Sequence, residues 1–328
     1  MQSNNIKKYH IVAISNPRSG RNKRGGFEKF VKVIAGFPSI EHIITDDESS
    51  LISTLDACKQ HACEILIVNG GDGTLLHILT YLKQAENVNF NPQLVLLQAG
   101  TTSMAYGDVG CKGELSSVMT KIVNHAKGTS QYLNYTPRNV LRMTLPENSQ
   151  SVCGMFFGAG AIYNGILYCR QTLHTKGVRG ELGPSLAMIR YIFDWLTTNK
   201  MTTSMRATIQ LDQLDTLEGE FTIVAATTLK RLLMGVYPFW CKPVSGSYVS
   251  LTLIKRNAPH AIKAFMKILL GKAPRVEEKE NYYRSTCPAR VVMSIQDGFT
   301  LDGELFGKPG CTTQVVLESA GEVMFLTT

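Results

Sequence analysis

The chain has 328 residues, a length that predicts about two domains of ~150 residues and a core able to bury about three quarters of the unfolded surface. Hydrophobic residues make up 44% and charged residues 18%, which excludes a disordered chain. Against 26 Asp and Glu stand 34 Lys and Arg, a net charge of +8. That surplus fits nucleotides, nucleic acid or acidic lipid headgroups without choosing among them.

Strands and helices alternate in the first part of the chain. Tyr9 to Ile14 is a β-branched run that stops at the turn signal Ser15-Asn16-Pro17-Arg18-Ser19-Gly20. Phe27 to Ala35 has helical spacing, Ile40 to Thr45 reads as a second strand, and Leu51, Leu55 and Cys58 mark a helical stripe. Ile65 to Asn69 is a third strand, halted by Gly70-Gly71. Leu75, Leu76, Ile78, Leu79 and Leu82 form a helical face, Leu94 to Gln98 a fourth strand, and Leu115, Val118, Met119 and Ile122 a further helix. Alternation of this kind predicts a Rossmann-like parallel sheet with helices on its faces.

Beyond about residue 132 the period drops to two, as in half-buried antiparallel strands. Such runs occur at Val140 to Leu145, Ser204 to Leu211, Phe221 to Ala226, Tyr248 to Ile254, Ala289 to Ile295 and Gln314 to Leu317, interrupted by helical stretches at Ser185 to Leu196 and Ala258 to Leu270. The expected fold is therefore α/β plus mostly β: a nucleotide-binding α/β domain over residues 1–132, then a β-sandwich domain over 133–328. The last strand or strands are free to return to the first domain. The cleft between the two is the default ligand site.

No stretch reaches the ~18 consecutive apolar residues of a membrane span, and Met1 to His10 lacks the apolar core of a signal peptide. The eight cysteines form no C-x-x-C pair, which predicts buried reduced thiols in a cytosolic protein rather than a disulfide scaffold. Seven histidines show no metal-ligand spacing. No basic stripe with interleaved aromatics appears, so nucleic acid is not an expected partner.

The strongest signal is Val68-Asn69-Gly70-Gly71-Asp72-Gly73-Thr74-Leu75-Leu76, which follows a strand and opens a helix. Its three glycines let the backbone reach positive φ and approach a ligand closely. The amides and positive dipole end of the helix suit a phosphate, and Thr74 either caps the helix or binds a phosphate oxygen. Asp72 would repel phosphate, so it makes sense if it holds a cation or polarises a hydroxyl. The bland alternative is a glycine-rich turn with a solvated aspartate. The chain has no G-x-x-x-x-G-K-[ST], and no G-x-G-x-x-G follows the first strand, so neither a P-loop nor a dinucleotide-type Rossmann site is supported.

These residues resemble the diacylglycerol kinase catalytic-domain family, whose relatives include sphingosine, ceramide and NAD kinases. Asn16-Pro17-Arg18-Ser19-Gly20 is similar to its Asn-Pro-x-Ser-Gly opening, Gly70 to Thr74 to its Gly-Gly-Asp-Gly-Thr, and Asp302-Gly303-Glu304 to its C-terminal Asp-Gly-Glu. Gly100-Thr101-Thr102-Ser103 is similar to the family's Gly-Thr-x-Asn loop, and Thr45 to its nucleotide-contacting threonine. The resemblance implies an ATP- and Mg²⁺-dependent lipid kinase that phosphorylates a hydroxyl of a diacylglycerol- or sphingoid-type lipid. ATP would meet Asn16, Thr45, Gly70, Gly71, Asp72, Gly73, Thr74 and Thr101. Glu304, expected on the same strand face as Asp302, would reach the nucleotide and join Asp72 around Mg²⁺. Asp302 would be the base, with Asp72 its rival. Arg179, in Arg179-Gly180-Glu181-Leu182-Gly183, resembles a phosphate-binding arginine of sphingosine kinases.

The implied partners are ATP, the lipid substrate and, transiently, an anionic membrane surface, met from the cytoplasm at its inner face; a homodimer is allowed. On spacing alone Asp302-Gly303 reads as a hairpin turn, as does Asp297-Gly298. Two positions depart from the family. Ser103 replaces the usual Asn, and Val244-Ser245-Gly246 stands where Asp-Asp-Gly is common, which argues against a structural metal there. Two other readings stay open: a soluble-substrate kinase of the NAD kinase kind, and a non-catalytic lipid- or nucleotide-binding regulator on the kinase fold.

Overall fold

The computed structural model describes residues 10–100, 104–129, 133–176, 204–212, 215–232, 236–242, 249–274 and 282–328. They divide into two compact units, residues 1–138 with 322–328, and residues 139–321. The helix expected at Ser185 to Leu196 lies outside the described residues. Among those residues no helix is long and apolar enough to cross a membrane.

In the first unit strands β1 (Ile11–Ser15), β2 (Ile40–Ile44), β3 (Ile65–Asn69) and β4 (Gln93–Leu96) alternate with helices α1 (Gly26–Ile34), α2 (Glu48–Gln60), α3 (Asp72–Leu82), α4 (Met104–Val109) and α5 (Leu115–Ala126). The strands run parallel in the order β2-β1-β3-β4. Both β1 and β3 are buried at every position, as strands covered on two faces must be, and so they read as unbroken apolar runs. Ile11, Ala13, Ile65, Ile67 and Val95 share one core cluster with Phe30 and Ile34 of α1 and Val118, Met119 and Ile122 of α5. Residues 322–328 add a fifth parallel strand, with Phe325 beside Leu94.

This strand order positions a site. From β1 the chain crosses one way to β2, then back past β1 to β3 and β4. Right-handed crossovers put α1 on one face and α2 and α3 on the other. The reversal makes the carboxyl ends of β1 and β3 a topological switch point, where open α/β sheets bind ligands.

The second unit is strand-rich and mostly antiparallel. Its strands are β5 (Asn134–Leu145), β6 (Gln150–Gly154), β7 (Phe156–Gly160), β8 (Met205–Leu211), β9 (Asp215–Thr227), β10 (Ser250–Lys255), β11 (Tyr283–Thr286), β12 (Arg290–Ile295), β13 (Phe299–Leu301), β14 (Glu304–Phe306) and β15 (Thr313–Thr327), with helices α6 (Ala161–Lys176) and α7 (Ala261–Leu269). Their order is β14-β13-β7-β9-β8-β12-β15. β9 is the spine: its first half pairs with β8, its second with β7 on one side and β10 on the other. Burial alternates strictly along β8, with Met205, Ala207, Ile209 and Leu211 inside, which is the period read from the sequence. β7 escaped that reading because Phe156-Phe157-Gly158-Ala159-Gly160 is buried throughout and shows no alternation.

Two expectations are corrected. Asp297-Gly298 is not a hairpin turn, because β12 pairs with β8 and β15 while β13 pairs with β7 and β14. Nor are all cysteines free and buried. Cys58, Cys63, Cys111, Cys153 and Cys169 are, but Cys311 is exposed and Cys241 is disulfide-bonded to Cys287. The amides of Trp240 and Cys241 donate to Ser285 Oγ at 3.2 and 3.3 Å, holding that segment beside β11. The two cysteine Cα atoms thereby come within 6.2 Å, inside the disulfide range.

Candidate active site

At the switch point of the first unit the loops that leave β1, β3 and β4 are tied to one another by side-chain hydrogen bonds. Asn16 Nδ2 donates to Thr74 Oγ1 at 3.2 Å, and the Gly71 amide donates to Ser19 Oγ at 3.0 Å. Both bonds join the loop after β1 to the glycine loop after β3. The Arg21 amide donates to Ala99 O at 2.8 Å, and the Arg21 guanidinium donates to Gln98 Oε1, which draws in the segment after β4. Thr74 therefore does not cap α3. The N-cap is Gly71, and the buried Thr74 hydroxyl instead accepts from Asn16.

Gly70 serves space rather than handedness. None of Gly70, Gly71 and Gly73 is among the positive-φ residues, contrary to the expectation from the motif. A Cβ on Gly70 would stand 2.6 Å from Thr74 Cβ, and one on Gly71 would stand 3.4 Å from Gly100 Cα. The loop after β4 thus packs beside the glycine loop at ordinary van der Waals distance, and only Gly70 is crowded. Under the glycine loop, beside Leu97 and Tyr106, a space of about 10 Å³ remains, room for one water at most.

Asp72 sits at the first position of α3, and its carboxylate accepts from the amides of Met104 at 3.1 Å and Ala105 at 3.4 Å. These are the opening amides of α4, so an acid placed inside a presumptive anion loop is accounted for by the donors it faces. The far end of α4 is held too. Arg138 Nε and Nη2 donate to Asp108 Oδ2 and Oδ1 at 2.8 and 3.1 Å, with the two side chains 10% and 3% exposed. Such a bidentate pair fixes orientation as well as distance.

A second buried network lies one layer deeper. Asn22 Nδ2 donates to the carbonyls of Asn16 and Asn69 at 2.8 and 3.0 Å. Asn69 Nδ2 donates to Ser15 Oγ at 3.1 Å, and His42 Nε2 lies 2.9 Å from the same oxygen. Burial holds the His42 imidazole below its ordinary value and likewise pushes the Tyr106 phenol up. Thr45 is 2% exposed, and its amide donates to Ser15 O at 2.9 Å. The sequence reading missed Asn22, Asn69, Asp108 and Arg138. Asn69 carried a signal all the same: a polar amide that ends an apolar run buried on both sides needs a partner.

In the second unit Asp302-Gly303 is the two-residue turn joining β13 to β14, with Leu301 paired to Glu304 and φ of +49° and +89°. Two residues at positive φ are what a type I′ hairpin requires. The Asp302 carboxylate accepts from the amides of Met155 at 2.9 Å and Phe156 at 2.8 Å, where the chain passes from β6 to β7. Because Asp302 is in the turn, Glu304 does not share a strand face with it. Glu304 is exposed and lies 3.7 Å from Arg170 Nη2. Thr101, Ser103, Arg179 and Ser245 lie outside the described residues.

Solved structures share this arrangement across nearly the whole chain. A putative diacylglycerol kinase from Bacillus anthracis str. Sterne aligns with a TM-score of 0.65 at 18% identity over 98% of both chains. A second structure of that description and organism aligns with a TM-score of 0.64 at 19% identity over 97% of both. At such identities the likeness is one of fold: a parallel α/β part with a strand-rich C-terminal region, as in those putative diacylglycerol kinases. No curated protein matches the chain. Residues 10–134 match the model of the diacylglycerol kinase catalytic domain.

Proposed function

We propose that the chain is an ATP-dependent lipid kinase that transfers the γ-phosphate to a hydroxyl of a diacylglycerol- or sphingoid-type lipid. The observation that carries this reading is the meeting of three loops at the N-terminus of α3 within the segment that matches the diacylglycerol kinase catalytic domain. Gly71 at the N-cap puts no side chain over the first turn. The amides of Gly73 and Thr74, which have no acceptor within the helix, then suit a phosphate. Asn16, Thr45 and Gly70 to Thr74 form the proposed nucleotide site, joined by Thr101 and Arg179 on the strength of the family resemblance alone.

Among the described residues no three His, Cys, Asp or Glu gather as a metal cage. A Mg²⁺ that arrives with ATP keeps several waters and needs only one or two protein carboxylates. Asp72 fits that need, since each carboxylate oxygen has more than one lone pair. Bound there, the ion would neutralise charge on the transferring phosphoryl group. Glu304 is the weaker candidate ligand, because Arg170 already stands beside it. Asp302 is proposed to orient the acceptor hydroxyl and take its proton, and the two amide bonds on its carboxylate hold it in one orientation.

Purified protein given γ-labelled ATP and Mg²⁺ should label diacylglycerol or sphingosine in mixed micelles. Asp72→Ala and Asp302→Ala should each lower kcat by about 10²-fold or more. Failure to label any lipid, or unchanged activity in both variants, overturns the reading. Conversion of NAD to NADP by the same protein would replace it with a soluble-substrate kinase.

A further inference from the structure

Helix α7 buries Ala264, Phe265 and Ile268. Lys263, Met266, Lys267 and Leu270 fall at i, i+3, i+4 and i+7, one stripe on the opposite side. Met266 is 52% and Leu270 69% exposed, while Lys263 and Lys272 are exposed and Lys267 half-buried. The nineteen residues from Asn257 to Arg275 contain no Asp or Glu, and the next acid is Glu277. Among the described residues none of the three lysines is in an ion pair.

The end of the helix holds this stripe rigidly. Gly271 takes φ +65°, its amide donates to Ile268 O at 2.9 Å, and the Lys272 amide donates to Lys267 O at 3.0 Å. This is the Schellman arrangement, and it fixes where Leu270 and Lys272 point. A Cβ on Gly271 would lie 3.0 Å from Tyr237 O, so the turn is also seated against the neighbouring segment. Rigid presentation lowers the ordering cost of any contact made there.

We propose that this face of α7 docks the protein onto an anionic phospholipid bilayer. Lysines alone would suit any polyanion. Two large apolar side chains set between them suit a surface with an apolar layer beneath its charges. Met266 and Leu270 enter the headgroup and acyl boundary while Lys263, Lys267 and Lys272 reach the phosphates on their flexible stems. The proposal builds on the lipid-kinase reading, whose acceptor resides in such a bilayer, yet it is testable without turnover.

The test is flotation of the nucleotide-free, full-length protein with phosphatidylcholine vesicles, with and without phosphatidylglycerol. Binding is expected only to the anionic vesicles and should weaken with added salt. Lys263→Gln with Lys267→Gln should lower the partition about tenfold or more, and Met266→Ser with Leu270→Ser about tenfold. Both doubles should phosphorylate a short-chain, dispersed acceptor within about twofold of the parent, since neither pair touches the proposed site. Equal flotation by parent and both doubles, no flotation by the parent, or binding to duplex DNA in place of vesicles overturns the docking proposal. Absence of phosphorylation alongside α7-dependent flotation overturns the kinase reading and leaves docking intact.

Discussion

Asp72 and Asp302 do the same thing by opposite means. Each is followed by glycine, and each receives two consecutive backbone amides on its carboxylate: Met104 and Ala105 in the first unit, Met155 and Phe156 in the second. Asp72 stands at the start of a helix where no loop glycine has positive φ, and Gly70 is required because a side chain would strike Thr74. Asp302 stands in a turn where it and Gly303 both take positive φ, and a Cβ on Gly303 would meet nothing within 4 Å. A glycine near each aspartate thus answers crowding at Gly70 in one unit and backbone handedness at Gly303 in the other. A sequence motif reports that glycine is needed without saying for which reason.

Substitutions at four positions sharpen that contrast. The largest effect on stability should come from Arg138→Met. It removes the bidentate guanidinium from the Asp108 carboxylate, 3% exposed, at a cost of about 3 kcal/mol in urea unfolding. It should also loosen α4, the helix that Asp72 opens, and lower activity with it. Next is Gly70→Ala, where the 2.6 Å approach to Thr74 should cost about 1–3 kcal/mol by overpacking. Trimming Thr74 to Ala should not rescue it, because the clash includes Thr74 Cβ. Gly303→Ala should cost about 1–2 kcal/mol from the left-handed strain alone, and Gly303→Asn clearly less. If Asn gives no relief at 303, the distinction between space and handedness fails.

The smallest effect concerns pH. Burial holds His42 below its ordinary value of 6.5, so on acidification the unfolded chain takes up that proton before the folded one. The stability owed to neutral His42 is whole above 6.5 and falls as pH drops through that value toward the lower folded pKa. His42→Gln should flatten the decline in Tm between about pH 7.5 and about 5.5. His125, lowered by burial in the same direction, remains to supply part of the slope. A slope unchanged by the substitution would remove His42 from the account.

The α/β half was legible because its inner strands β1 and β3 are buried on both faces and appear as unbroken apolar runs, with α1 and α5 as stripes. β8 was equally plain, since one face only is covered. α4 was not read: six residues with a glycine inside give no period. α6 was missed for a related reason, since Ala161 to Lys176 mixes polar and apolar residues with little stripe. Within the candidate site, the residues of the loops were read and the residues that brace them were not. Asp108 and Arg138 are thirty positions apart, and nothing local marks them as a pair. The fate of Glu304 turned on a two-residue turn whose register the spacing left open. The disulfide was missed because Cys241 and Cys287 lie 46 residues apart and meet where the amides of Trp240 and Cys241 bind Ser285 of β11.

The strand that completes the first unit comes from residues 322–328, with Phe325 beside Leu94, Cys111 Sγ donating to Leu326 O at 3.0 Å and the Lys112 amide donating to Thr328 Oγ1 at 2.9 Å. A ribosome must therefore translate residues 139–321 before that strand emerges, roughly 10 to 40 s at about 5–20 residues per second. For that interval β4 is an open edge of a parallel sheet, the kind of surface on which nascent chains aggregate. The first unit is begun first and finished last, so its maturation is timed by the synthesis of the second unit.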